Sequence, residues 1–190
     1  EHLISVHNYK HICYLGCKTE SYFSDKRAQA FRDVMIQHGY TIGDHDMFDT
    51  TITEEGVREA FDYFCEGSDK LPEAVVCYND KMALLFTVIA IRKGYRIPED
   101  IALVGCDALP EGQNMTAPLT TVSFPTYQLG AESVKQLFKL MHNTPIPECT
   151  NVFAEPVLGG SCGCRTTSHS NYILYGHQLL NRIQNLEGSI

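Results

Sequence analysis

The chain has 190 residues, 44% of them hydrophobic, enough to bury one ordinary core or two small ones. Its formal net charge of −8 argues against nucleic-acid binding by this segment, because no positive surplus is available for a phosphate backbone. No apolar run reaches the roughly 18 residues of a membrane-spanning helix, and nothing near Glu1 has the pattern of a signal peptide.

Residues 12–16 (ICYLG) predict a buried strand. Residues 24–38 predict a helix with Ser24 as N-cap, Ala28, Phe31, Val34 and Met35 on its apolar side, and Gly39 as its stop. A short strand near Met47-Phe48 leads to a second helix, roughly Thr53 to Cys65, which Thr51 and Glu54 open as a capping box. An apolar run at 74–77 then stops at Asn79-Asp80. A helix over 80–93 follows, closed by Gly94, and Pro98-Glu99-Asp100 turns the chain into a strand at 101–105 that ends on Cys106-Asp107. Strand and helix alternating over short connections predict an α/β fold: a parallel sheet with helices on both faces.

Past Asp107 the regularity lapses. Residues 108–118 read as a polar loop and 119–123 as a Thr-rich strand. Tyr127 to Met141 read as an amphipathic helix whose Leu129, Val134, Leu137, Phe138 and Met141 face inward. A last strand is expected at Val152–Ala154, before "GGSCGC". Segment 119–141 could extend the same sheet or belong to a neighbouring lobe.

In an open parallel sheet, ligands bind beyond the carboxyl ends of the strands. Asn79 and Asp107 each stand at such an end, one offering donor and acceptor, the other acceptors only. Arg27, early in the helix after the first strand, brings a rigid fork of donors to the same rim. Asn79 also reads as the N-cap of the 80–93 helix. Tyr22 and Phe23, in the loop after the first strand, could stack on a sugar face or be surface aromatics without a role.

Reactive chemistry is not evident. The eight histidines are scattered, and there is no Gly-x-Ser-x-Gly, no P-loop and no Gly-x-Gly-x-x-Gly after a strand, so no enzyme is expected. The eight cysteines follow no small disulfide framework, and five lie in or beside strands and helices, which points to free thiols in a reducing cytoplasm. Cys162-Gly-Cys164, with Cys149 or His169 in reserve, lacks the second pair of a structural zinc site. It reads as a loop with two free thiols, with no metal or cofactor.

Three ordered motifs carry a family resemblance across about residues 1–164. They are Val75-Val76-Cys77-Tyr78-Asn79-Asp80-Lys81-Met82-Ala83, then Ile97-Pro98-Glu99-Asp100-Ile101-Ala102-Leu103-Val104-Gly105-Cys106-Asp107, then Pro118-Leu119-Thr120-Thr121-Val122 with Leu129-Gly130. With Arg27-Ala28-Gln29-Ala30-Phe31, they make the chain resemble the effector-binding region of the lactose/galactose-repressor family, which has the periplasmic-binding-protein-like fold. The resemblance implies that Arg27, Asn79 and Asp107 contact ligand and that Phe124 lies near hinge and ligand. Ala30, Cys106 and Ala108 depart from the family pattern, and the last two change the pocket rim.

The resemblance further implies two lobes, of which this chain holds the C-terminal one, with 119–147 as a returning piece of an otherwise missing N-terminal lobe. It also implies a small-molecule effector and contact with DNA only through a domain outside this chain. The 119–141 piece would then expose an apolar helix face unless another copy covers it, so a homodimer or higher oligomer is expected. Residues 165–190 are expected to form a linker and signalling helix, with Gly176, Leu179, Ile183, Leu186 and Ile190 as a short a/d seam, or else a terminal helix packed on its own lobe. The expectation is thus a non-catalytic sensing domain for a sugar or related polar metabolite in a bacterial regulator. Its rivals are the sensor module of a diguanylate cyclase or histidine kinase, and a hydrolase-like enzyme.

Overall fold

A computed structural model describes residues 1–19, 22–67 and 70–165. After a one-turn helix α1 (His2–Ser5), the chain alternates strictly: β1 (Ile12–Cys17), α2 (Tyr22–Gln37), β2 (Met47–Thr50), α3 (Glu54–Cys65), β3 (Ala74–Cys77), α4 (Asp80–Arg92) and β4 (Ala102–Val104). The strands pair in parallel, in the order β2-β1-β3-β4. The connection from β1 runs one way along the sheet and the next two run the other. Right-handed crossovers therefore place α2 on the face opposite α3 and α4.

Burial agrees with that geometry. Cys13, Leu15 and Cys17 of β1, Val75 and Cys77 of β3 and Leu103 of β4 share a core with Val57, Phe61 and Phe64 of α3 and Met82 and Phe86 of α4. The alternate residues Ile12, Ala74 and Ala102 meet Leu3 and Met35 on the other face. All six residues of β1 are buried, as a strand covered on both sides requires.

Local details depart from expectation at helix starts. Ser24 lies inside α2 and does not cap it; its hydroxyl donates to the Cys17 carbonyl at 2.9 Å, tying the helix to the end of β1. The cap of α3 is Thr53, whose Oγ1 accepts the Gly56 N–H at 3.1 Å, while Thr51 only bonds the Thr53 hydroxyl.

After β4 the chain makes a short turn of helix, α5 (Pro110–Gln113), and returns through β5 (Thr121–Ser123), α6 (Thr126–Met141) and β6 (Glu155–Val157). Leu119, Thr120 and Thr121 are buried, and Thr120 makes a parallel bridge to Val104 at the sheet edge. β5 and β6 form a separate antiparallel pair. The last strand lies three residues later than its apolar pattern suggests, because pairing of Val157 with Thr121 sets its register. The apolar face of α6 does not turn into this chain's core but stands bare, as expected for a piece that another copy would cover: no residue of α6 is buried, and Leu129, Val134, Leu137, Phe138 and Met141 are all more than half exposed. Periodicity marks an apolar face correctly but does not say that this chain covers it. The seam proposed for 171–190 lies outside the described residues.

Candidate functional site

Strand order reverses direction between β1 and β3, and the crevice beyond their carboxyl ends is where such sheets bind ligands. Arg27 reaches it from the second turn of α2. Its Nη1 donates to the Tyr78 carbonyl, just past β3, at 2.6 Å, and Nη2 donates to Asp107 Oδ1, past β4, at 3.5 Å. The guanidinium carbon lies 4.6 Å from the Tyr78 ring centroid and 5.7 Å from that of Phe124, which follows β5. Arg27, Asp107 and Phe124 are thus brought together from three separate parts of the chain.

Asn79 stands next to Tyr78, and its Oδ1 accepts the Met82 N–H at 3.0 Å, so it is the N-cap of α4. That use engages the side-chain oxygen and leaves the NH2 as its remaining donor group. Tyr22 and Phe23 lie in the first turn of α2 rather than in a loop. They are 70% and 66% exposed, ring edge to ring face, with the Lys26 ammonium over Tyr22.

The loop carrying Asp107 is held in an unusual shape. Asp107 has φ +120° and Ala108 φ +54°, a region that side-chain-bearing residues seldom occupy. Three successive backbone donors fix it: Asp107 N–H to Val122 O (2.9 Å), Ala108 N–H to Thr121 Oγ1 (3.2 Å) and Leu109 N–H to Asp80 Oδ2 (2.7 Å). Asp80, fully buried, also accepts the Thr121 hydroxyl at 2.6 Å. A Cβ on Gly105 would run into the Asp80 carboxylate, so glycine is needed two residues before Asp107.

Burial pushes the Asp107 carboxyl above the usual range; Arg27 pulls it back and the charge of Asp80 adds to the rise. Burial raises the neighbouring Cys106 thiol to about 11, which keeps that thiol protonated near neutral pH. Beneath it, the buried Tyr14 hydroxyl has no partner among the described residues and lies within electrostatic reach of Arg27 and Asp49. Tyr14, Tyr78 and Asp80 escaped the sequence reading. Tyr78 and Asp80 flank Asn79 directly, and that adjacency was the available signal.

Among the described residues, two cavities lie near the cluster. One, of about 360 Å³, is lined by Cys17, Ser24, Ala28, Arg32 and Asp49; the other, of about 280 Å³, by Ser123, Phe124, Pro125, Tyr127 and Glu155. Toward the other end of the sheet, two sets of metal-capable side chains gather among the described residues: His2, His7, Cys162 and Cys164, and His11, Cys13 and Asp46. Sequence reading had assigned no metal ligand. Its reserve candidate Cys149 is exposed and bonds Asn151, and His169 lies outside the described residues.

Residues 1–162 match the family described as periplasmic binding protein-like domain. The chain belongs to that family. As a periplasmic binding protein-like domain it is similar to the HTH-type transcriptional regulator GalR of Escherichia coli, 28% identical over 131 residues, which cover 69% of this chain and 38% of GalR. It is also similar to the HTH-type transcriptional repressor PurR of Mannheimia succiniciproducens, 26% identical over 159 residues, covering 83% of this chain and 47% of PurR. This periplasmic binding protein-like chain therefore spans less than half the length of each of these two curated relatives. Among solved structures, the transcriptional regulator CelR–cellobiose complex superposes with a TM-score of 0.72 at 20% identity, over 83% of this chain and 48% of that one. The family resemblance and the α/β architecture expected from the sequence both stand.

Proposed function

We propose that this chain is the effector-sensing part of a bacterial transcription regulator, that it is not an enzyme, and that its ligand is a sugar or a related polar metabolite. The observation that carries the reading is the convergence of Arg27, Asp107, Tyr78 and Phe124 at the switch point of the sheet. A guanidinium fork and a carboxylate suit vicinal hydroxyls, and ring faces suit the apolar face of a pyranose. The cellobiose bound in the CelR structure supports the same ligand class. Asn79 contributes its NH2 on this reading; Tyr22 and Phe23, if they act, do so at the rim.

The lobe described here supplies one wall of the cleft, and the segment from β5 to β6 leads toward a second lobe. Ligand bridging the two lobes favours their closed arrangement and shifts an interface in a homodimer. Only differential affinity for the two arrangements can switch it. Such a regulator works in the cytoplasm and meets DNA through a domain beyond this chain. The a/d seam of residues 171–190 supports a second reading, a sensor with a C-terminal signalling output.

The test is a thermal-shift screen of sugars, nucleosides and amino acids on a longer chain that supplies the second lobe, followed by calorimetry on variants. Asp107→Ala is expected to abolish effector binding with an unchanged circular dichroism spectrum. Undiminished affinity in both Asp107→Ala and Arg27→Ala would remove this crevice as the binding site.

A further inference from the structure

The two ends of the described chain meet at the end of the sheet opposite the crevice. Cys162 is fully buried among Leu3, Ile12, Ala74 and Ala102, the last three being the first residues of β1, β3 and β4. There four side chains from two distant segments point their ligating atoms at one another. His2 Nε2 lies 3.2 Å from His7 Nε2, 3.5 Å from Cys162 Sγ and 3.4 Å from Cys164 Sγ; His7 Nε2 lies 3.4 Å from Cys164 Sγ.

Hydrogen bonding does not account for this grouping. A ring nitrogen carries either one N–H or one in-plane lone pair, so it serves one partner well. His2 Nε2 has three, at nearly equal distance. Atoms arranged so share a common centre. A tetrahedral zinc ion at about 2.0 Å from nitrogen and about 2.3 Å from sulfur sets edges of about 3.3 Å between two nitrogens and about 3.5 Å between nitrogen and sulfur. The observed separations match both edges.

We propose that His2, His7, Cys162 and Cys164 form a tetrahedral Cys2His2 site for a divalent cation of the zinc type, clasping α1 to the segment that follows β6. With all four positions taken by protein, the site is structural and leaves no place for substrate. On binding, both thiols release their protons to solvent, and each imidazole binds neutral through Nε2.

The surroundings hold the ligands in place. Gly163, at φ +96°, turns the chain so that the cysteines on either side of it face the same way, and a Cβ there would come within 2.8 Å of the Tyr9 hydroxyl and 3.5 Å of the His7 ring. Tyr9 stacks on His7 with centroids 5.3 Å apart, and its hydroxyl donates to the Cys162 carbonyl at 3.3 Å. One side chain thereby braces a histidine and a cysteine ligand together, as outer partners of metal sites do. The other set, His11, Cys13 and Asp46, has only three members, one short of a closed tetrahedral site.

Cobalt(II) titration of the reduced 190-residue chain, freed of metal by chelation, tests the site. One equivalent is expected to develop thiolate-to-cobalt charge-transfer and tetrahedral d–d bands, which zinc then erases by displacement. His2→Ala and Cys164→Ser should each weaken cobalt binding by more than about a hundredfold, with circular dichroism unchanged. Zinc should raise the unfolding temperature by about 5 °C or more. His11→Ala is the control and should leave the bands as they are. The proposal is overturned if no tetrahedral bands form, or if they persist in both ligand variants or vanish in His11→Ala. Should Cys164→Ser fail to fold, His2→Ala and His7→Gln decide the matter alone, since both lie within the first seven residues.

Discussion

Asp107 joins a positive φ to a guanidinium partner at an exposed position on the rim. Its raised pKa has a definite consequence for stability. The folded chain holds the Asp107 proton more tightly than the unfolded chain, so this residue's contribution to stability is greatest in acid. That contribution is lost as pH rises from about 4 through the folded-state value. Asp107→Asn should flatten the corresponding slope in urea-unfolding free energy against pH; an unaltered slope would contradict the assignment. Asp80 works differently. Its carboxylate satisfies the Leu109 N–H and the Thr121 hydroxyl in a fully buried setting, so Asp80→Ala strands two donors and should cost about 3 kcal/mol in equilibrium unfolding.

At the scale of elements, α4 begins on a residue with two claims on it. Asn79 caps the helix through Oδ1, and on the proposed reading its NH2 contacts a ligand. Substitution separates these uses. Asn79→Ser preserves a capping oxygen and should leave stability nearly unchanged, whereas Asn79→Ala should cost about 1 kcal/mol. Both should weaken effector binding if the amide group contacts ligand, and calorimetry on the serine variant alone tells cap from contact. The other notable element is α6, whose Leu137, Phe138 and Met141 are all more than half exposed. Light scattering at micromolar concentration should find the chain self-associated through this face, and Leu137→Glu with Phe138→Glu should return it to monomer.

For the whole molecule, the crevice residues stand at one end of the sheet and the proposed metal clasp at the other, so the two can fail separately. On the proposed reading a second lobe completes the crevice, and the cavities near it among the described residues are about 360 and 280 Å³. A sugar titrated into this chain alone should therefore give little or no thermal shift, while a chain supplying the second lobe should show saturable stabilisation. Equal shifts in both would mean that one lobe suffices.

Much of the fold was legible without coordinates. Alternating apolar runs and helical periods located the strands β1 to β4 and the helices between them to within about two residues, because each element's pattern is a local property of the chain. The same was true of Arg27 and Asp107, since residues that follow parallel strands share one rim wherever the strands pair. What the sequence withheld was long-range: the stacking of Tyr78 under Arg27 across 51 positions, and the tethering of the Asp107 loop by Asp80. Cys162-Gly163-Cys164 is the sharpest case. Spacing along the chain shows two ligands and stops, while the sheet, by bringing its two ends together, sets His2 and His7 beside them across more than 150 residues. Periodicity belongs to neighbours in sequence and is written there; the meeting of distant side chains is made only when strands pair.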